Sequence, residues 1–170
     1  MTSILKVSEI QDPTNSNTAL SIDSSGVITY PQKIVWYANN KNAGGTYGVN
    51  NAYAKHAYAE VIVNHGNGYS GTNSRFTAPV AGTYFVTYSM HFRTGTDYKQ
   101  AQLYKNGSGM GSDYGRQLFH RGGGSSSEQT LTANLYIDLA VNDYIEVYYY
   151  VTGGDIYYHD LNHFGGHFIG

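Results

Sequence analysis

Apolar and polar positions alternate with a period of two along most of the chain, which predicts strands rather than helices. The clearest run is AGTYFVTYSMHFR, residues 81–93. Tyr84, Val86, Tyr88, Met90 and Phe92 share one face there, apolar enough to be core, while Phe85, Thr87, Ser89 and His91 make a mixed opposite face. KIVWYANN predicts a strand that enters an Asn/Gly loop, and YAEVIVN sets Tyr58, Glu60 and Ile62 against Ala59, Val61 and Val63. AQLYKNG ends in Asn106-Gly107, a strong two-residue hairpin cue. QTLTANLYIDL, YIEVYYYVT, DIYYH and HFGGHFI continue the series, and a further strand is expected within residues 114–121. Near the start, Leu20 and Ile22 alternate with polar positions, Ser24-Ser25-Gly26 signals a turn, and Val27, Ile28 and Tyr30 resume, so a small hairpin is expected. Alone it would be marginal in water and needs a partner surface. About ten short strands without a convincing helix predict an all-β two-sheet sandwich or jelly roll, residues 32–170, behind an extended segment, residues 1–31.

Composition narrows the functional classes. The 170 residues suit one domain with an appendage. With Cys 0, disulfide frameworks and thiolate metal sites are excluded. Ten Lys and Arg against twelve Asp and Glu give a net charge of −2, which disfavours a nucleic-acid surface. No apolar run is long enough to predict membrane insertion. Tyr 18 against Phe 6, with Gly 21, fits short strands, tight turns and half-wet surfaces. The opening residues have neither the basic nor the apolar region of a signal peptide.

Residues 58–88 resemble the signature of the globular head of complement C1q and its relatives, which share the tumour-necrosis-factor jelly roll. Tyr58, Asn64, Tyr69, Phe76, Gly82, Tyr84, Val86 and Tyr88 match its spacing, with Tyr58 and Val86 standing where the family usually has Phe. FTAPVAGTY, AQLYKNG and HFGGHFIG resemble further family elements, and in LAVNDYIEV Asn142 replaces a usual Gly. The resemblance implies a C1q/TNF-like jelly roll that associates as a homotrimer; the alternative is a monomeric Tyr-rich sandwich. Residues 1–31 resemble the amino-terminal segments of tail-fibre and other virion proteins of marine bacteriophages.

No nucleophile elbow, phosphate loop or zinc motif is present, so no enzyme activity, catalytic residue or cofactor is expected. Among seven His, His159, His163 and His167 are spaced by four. On a strand, His163 and His167 would share a face about 13 Å apart, too far for one metal within the chain. A trimer could gather three copies of one His at its axis, but hydrogen-bonded or exposed imidazoles are the favoured reading, and no calcium ligands can be assigned near Asp155 and Asp160. In Tyr148-Tyr149-Tyr150 the middle ring must face away from its neighbours. Most of the tyrosines are expected to pack between subunits, and the loop residues Tyr47, Tyr69 and Tyr114 are the candidates for binding a glycan or protein. The expectation is a non-enzymatic phage structural protein, located in the virion after assembly in the bacterial cytoplasm. Residues 1–31 would contact other virion proteins, and a trimeric knob would attach to a host-surface glycan or protein. The alternatives are a head fibre or capsid decoration protein, and a cellular lectin-like or signalling module.

Overall fold

The computed structural model of the chain describes residues 6–14, 16–30, 32–40, 45–48, 51–92, 98–110, 117–121, 128–152, 155–158 and 161–170. They form strands and turns, and the chain divides into two compact units, Met1–Lys33 and Ile34–Gly170.

The first unit is a three-stranded antiparallel sheet of β1 (Glu9–Gln11), β2 (Thr18–Ile22) and β3 (Ile28–Thr29). Asp23 shapes the expected hairpin: its carboxylate accepts the N–H groups of Ser25 and Val27 at 2.8 and 2.9 Å, and Gly26 supplies a φ of 80°. The unit also includes β1, which the alternation of residues 18–30 did not indicate. Four of its apolar side chains stay in solvent, since Ile10, Val27, Ile28 and Tyr30 are all about half exposed or more, while Leu20 and Ile22 are half-buried.

The second unit is a sandwich. Its strands are β4 (Val35–Asn39), β5 (Gly45–Gly48), β6 (Ala54–Lys55), β7 (Glu60–His65), β8 (Tyr69–Ser70), β9 (Arg75–Thr77), β10 (Gly82–Phe92), β11 (Tyr98–Lys105), β12 (Ser108–Gly109), β13 (Gln117–Arg121), β14 (Gln129–Leu139), β15 (Tyr144–Val151), β16 (Asp155–Tyr158) and β17 (His163–Phe168). One sheet runs β5-β16-β10-β17-β4-β7, with β14 on the other side of β10. The second runs β12-β11-β15-β9-β8, with β13 also on β11 and β6 also on β15. The strands exceed the expected ten because pieces such as β5, β6, β8 and β12 lie inside stretches that read as loops.

The period-two pattern decides what is buried. On β10, Tyr84, Val86, Tyr88, Met90 and Phe92 are fully buried. On β14, Ala133, Leu135, Ile137 and Leu139 point inward while Asn134, Tyr136 and Asp138 face solvent. β11 and β15 add Ala101, Leu103, Ile145, Val147, Tyr149 and Val151 from the opposite sheet. At one end of the core Trp36 stacks on Phe76, centroids 3.7 Å apart, with Phe164 edge-on at 6.0 Å. β17 makes room for that indole. Gly166 is paired to both Trp36 and Val86, and a Cβ there would lie 2.4 Å from the indole and 2.3 Å from the Phe85 carbonyl oxygen.

Candidate functional site

The residues that carry the sequence signature are structural. Tyr58 is fully buried, and its hydroxyl donates to the Ser89 carbonyl at 2.9 Å and lies 3.1 Å from Met90 Sδ. The polar tip that Tyr brings where the family usually has Phe is therefore satisfied. Asn64 closes its turn with a reciprocal pair, donating to the Tyr69 carbonyl and accepting the Tyr69 N–H, both at 3.0 Å. Gly82 has a φ of 148°, and a Cβ there would meet the Gly170 carbonyl oxygen at 2.7 Å. Phe76, Tyr84, Val86 and Tyr88 are fully buried, and the Tyr84 hydroxyl donates to the Val80 carbonyl at 2.7 Å. Asn142, the departure from Gly, sits at a φ of 68°, a left-handed position that Asn tolerates better than most side chains.

Among the three loop tyrosines, Tyr69 requires a correction. Its ring is only 5% exposed and lies on Phe164, and its hydroxyl donates to the Tyr58 carbonyl at 2.8 Å. Burial pushes the phenol well above its ordinary pKa. A ring held this way cannot stack on an external ligand, so the loop position of Tyr69 anchors the core. Tyr47 lies in β5, and its side chain is outside the described residues, as is Tyr114 altogether.

Two surfaces stand out instead. The first is the outward face of β4, β17, β10 and β14. There Phe85 contacts Tyr136 at 5.5 Å and His167 at 5.3 Å, and Tyr37 stacks on His163 at 5.7 Å. Tyr136 is 66% exposed. His163 and His167 do share this face, as a strand requires. His163 is held by the Thr87 and Ser89 hydroxyls at 3.2 and 2.9 Å, and burial holds its pKa below the usual histidine range. Among the described residues no group of three His, Asp or Glu is placed to hold a metal ion; His159 and Asp160 lie outside them.

The second surface is the outward face of β11 and β15. Tyr148 and Tyr150 point outward while Tyr149, 2% exposed, faces the core, so the triplet splits as alternation requires. Five tyrosines form a continuous chain of ring contacts: Tyr98 to Tyr150 at 5.7 Å, Tyr150 to Tyr53 at 5.4 Å, Tyr53 to Tyr104 at 6.2 Å, and Tyr104 stacked on Tyr148 at 3.8 Å. The Tyr53 hydroxyl donates to Gln100 Oε1 at 2.7 Å. Gln100 is 1% exposed, and its Nε2 has no hydrogen-bond partner among the described residues. At one end of the chain lies a charged trio. The buried Glu146 carboxylate receives Lys55 Nζ at 3.2 Å and Arg75 Nη2 at 2.9 Å, and the Arg75 guanidinium sits 3.7 Å over the Tyr144 ring. Sequence reasoning missed this surface because Tyr53, Lys55 and Arg75 join it from separate short strands or connections. Only the spacing Tyr148-x-Tyr150 pointed towards it.

Comparison with known proteins matches the head. A family model described as the C1q domain matches residues 40–169. Among solved structures, murine APRIL at pH 5.0 superposes with a TM-score of 0.63 at 10% identity, covering 81% of this chain and 99% of that one. The Eiger TNF structure from S. frugiperda gives 0.60 at 12% identity, covering 82% and 94%. The globular domain of zebrafish complement 1qA gives 0.59 at 11% identity, covering 81% and 98%. At these identities the likeness concerns the fold.

Proposed function

This chain belongs to the C1q family, and from that premise we propose that it is a non-enzymatic virion structural protein of a bacteriophage. Its first 31 residues dock onto other virion proteins, and its C1q-like head works as a homotrimeric knob that attaches to a host-surface glycan or protein. The observation that carries the reading is the pairing of a C1q-like head with a small three-stranded unit whose Ile10, Val27, Ile28 and Tyr30 are exposed. So small a sheet with its apolar residues in water is suited to a partner surface. The resemblance of this segment to phage virion proteins supplies the kind of partner.

Support for the trimer comes from the outward face of β4, β17, β10 and β14. Tyr37, Phe85, Tyr136 and His167 there present rings with few charges between them, the composition of an interface core. A closed threefold ring covers one such face per subunit. Three knob sites, repeated around a particle, would attach through avidity without tight single sites.

A density map of the intact particle tests the assignment. The reading requires residues 1–31 at a contact with the particle and the head pointing outward. A head packed flat against the capsid, on particles that fall apart without the protein, would instead establish a decoration role.

A further inference from the structure

We infer that the tyrosine face of β11 and β15 is an oligosaccharide-binding platform, and that its ligand carries an acidic group. This deepens the attachment reading above and rests on it. Three features of the face converge. Five tyrosine rings, Tyr53, Tyr98, Tyr104, Tyr148 and Tyr150, succeed one another across it, Tyr104 and Tyr148 stacked as one pair, so an extended sugar chain laid along the face meets rings along its length. Tyr53, at the middle, is 43% exposed. Each phenol offers an apolar ring to the C–H face of a pyranose and a hydroxyl to its O–H groups, a pairing that a purely apolar partner would leave half used.

The polar groups favour the same ligand. Gln100 lies among these rings, its carbonyl oxygen taken by Tyr53 and its amide nitrogen without a partner among the described residues. A buried donor left unmade is costly, so a ligand that satisfies it gains. At the Tyr148 end, Lys55 is directly paired to Tyr148 across the sheet. Lys55 and Arg75 face the single carboxylate of Glu146, and each cationic side chain keeps about a third of its surface exposed (35% and 33%). Two cations against one anion leave one positive charge in excess beside the last ring. An acidic sugar residue complements that charge, whereas a neutral or cationic chain would leave it unmatched.

The test uses the full chain on an array of uronate-containing and neutral oligosaccharides of matched length, together with whole host cells. The expected result is binding to uronate-containing oligosaccharides that weakens as salt is raised. The double variant Tyr53→Ala with Tyr150→Ala should bind about tenfold or more weakly, with oligomeric mass unchanged and unfolding still cooperative. Lys55→Gln, a milder change, should lose the preference for acidic over neutral sugars while still binding both. If the unaltered chain binds host cells and the double variant binds them equally, the platform is wrong and the attachment reading stands. If the unaltered chain binds neither cells nor sugars, both fail. A double variant that folds but changes its oligomeric mass overturns the platform, because the face would then be a contact between subunits.

Discussion

His56 shows how much a single buried side chain sets the response of the head to acid. The imidazole is fully buried, edge-on to Tyr58 at 4.4 Å and bonded to the Asn40 amide at 3.2 Å. Burial pushes its pKa down to about 3, whereas in the unfolded chain it would titrate near 6.5. Between those values the unfolded state takes up a proton that the folded state refuses. Stability is therefore full above pH 6.5 and falls as pH drops towards 3, at up to ~1.4 kcal/mol per pH unit. His163 is shifted in the same direction and adds to the loss. The carboxyl of Asp143 is held down to about 2 by Lys105, Asn106 and the Ala140 N–H, so its stabilisation is full above about pH 4 and is lost only as pH falls from there towards 2. Urea titrations from pH 7 to 4 should show falling stability, and His56→Phe should flatten that slope. An unchanged slope would remove His56 as its source. Gly166 sets the opposite limit on tolerance. Since its Cβ would strike the Trp36 indole and the Phe85 carbonyl, Gly166→Ala should cost about 3 kcal/mol or more by urea unfolding. Neither role could be read from HFGGHF or KHAY alone, because each depends on residues outside its own stretch.

At the scale of elements, the period-two pattern carried most of the legible information. The buried face of β10 follows the alternation residue by residue because both sheets of a sandwich need one dry side. Turns were legible for the same local reason. Asn106 and Gly107 adopt φ values of 52° and 79°, as a hairpin of the primed type requires. What could not be read was the joining of that turn to another one. Asn106 donates to Asp143 at 2.7 Å and accepts the Tyr144 N–H at 2.9 Å, and Lys105 reaches the same carboxylate at 2.7 Å. Residues about forty positions apart thus hold the ends of β11 and β15 together. The Lys55–Glu146–Arg75 trio was equally hidden, since no local pattern links three separate strands. Glu146 is buried while its partners are a third exposed, so Glu146→Gln should destabilise the head by ~1–3 kcal/mol. Denaturant unfolding at low and moderate salt checks this.

For the whole molecule, the two outward faces of the sandwich have different compositions and so predict different responses. The face around Tyr136 is aromatic with few charges, and a carboxylate placed there should separate the subunits of the proposed trimer. Tyr136→Glu is expected to reduce the mass seen by light scattering from three chains to one, near 18.7 kDa, with the melting of the isolated head otherwise cooperative. A variant that keeps its mass would move the subunit contact elsewhere. The expectation that most tyrosines pack between subunits is narrowed by the structure. Tyr58, Tyr69, Tyr84, Tyr88 and Tyr149 belong to the core, and another set gathers on β11 and β15. Sequence alternation assigned each of them a side of its strand, but which sides meet is decided by strand order, and strand order is not a local property.

On β15 the outward Tyr148 and Tyr150 alternate with the inward Val147, Tyr149 and Val151, and on β11 the outward Tyr104 follows the inward Leu103. Substitution can therefore rewrite these outward rings one codon at a time. Each such replacement lands on the wet side of the pleat and leaves the interior as it was, so this surface can drift in chemistry without loss of the shape beneath it.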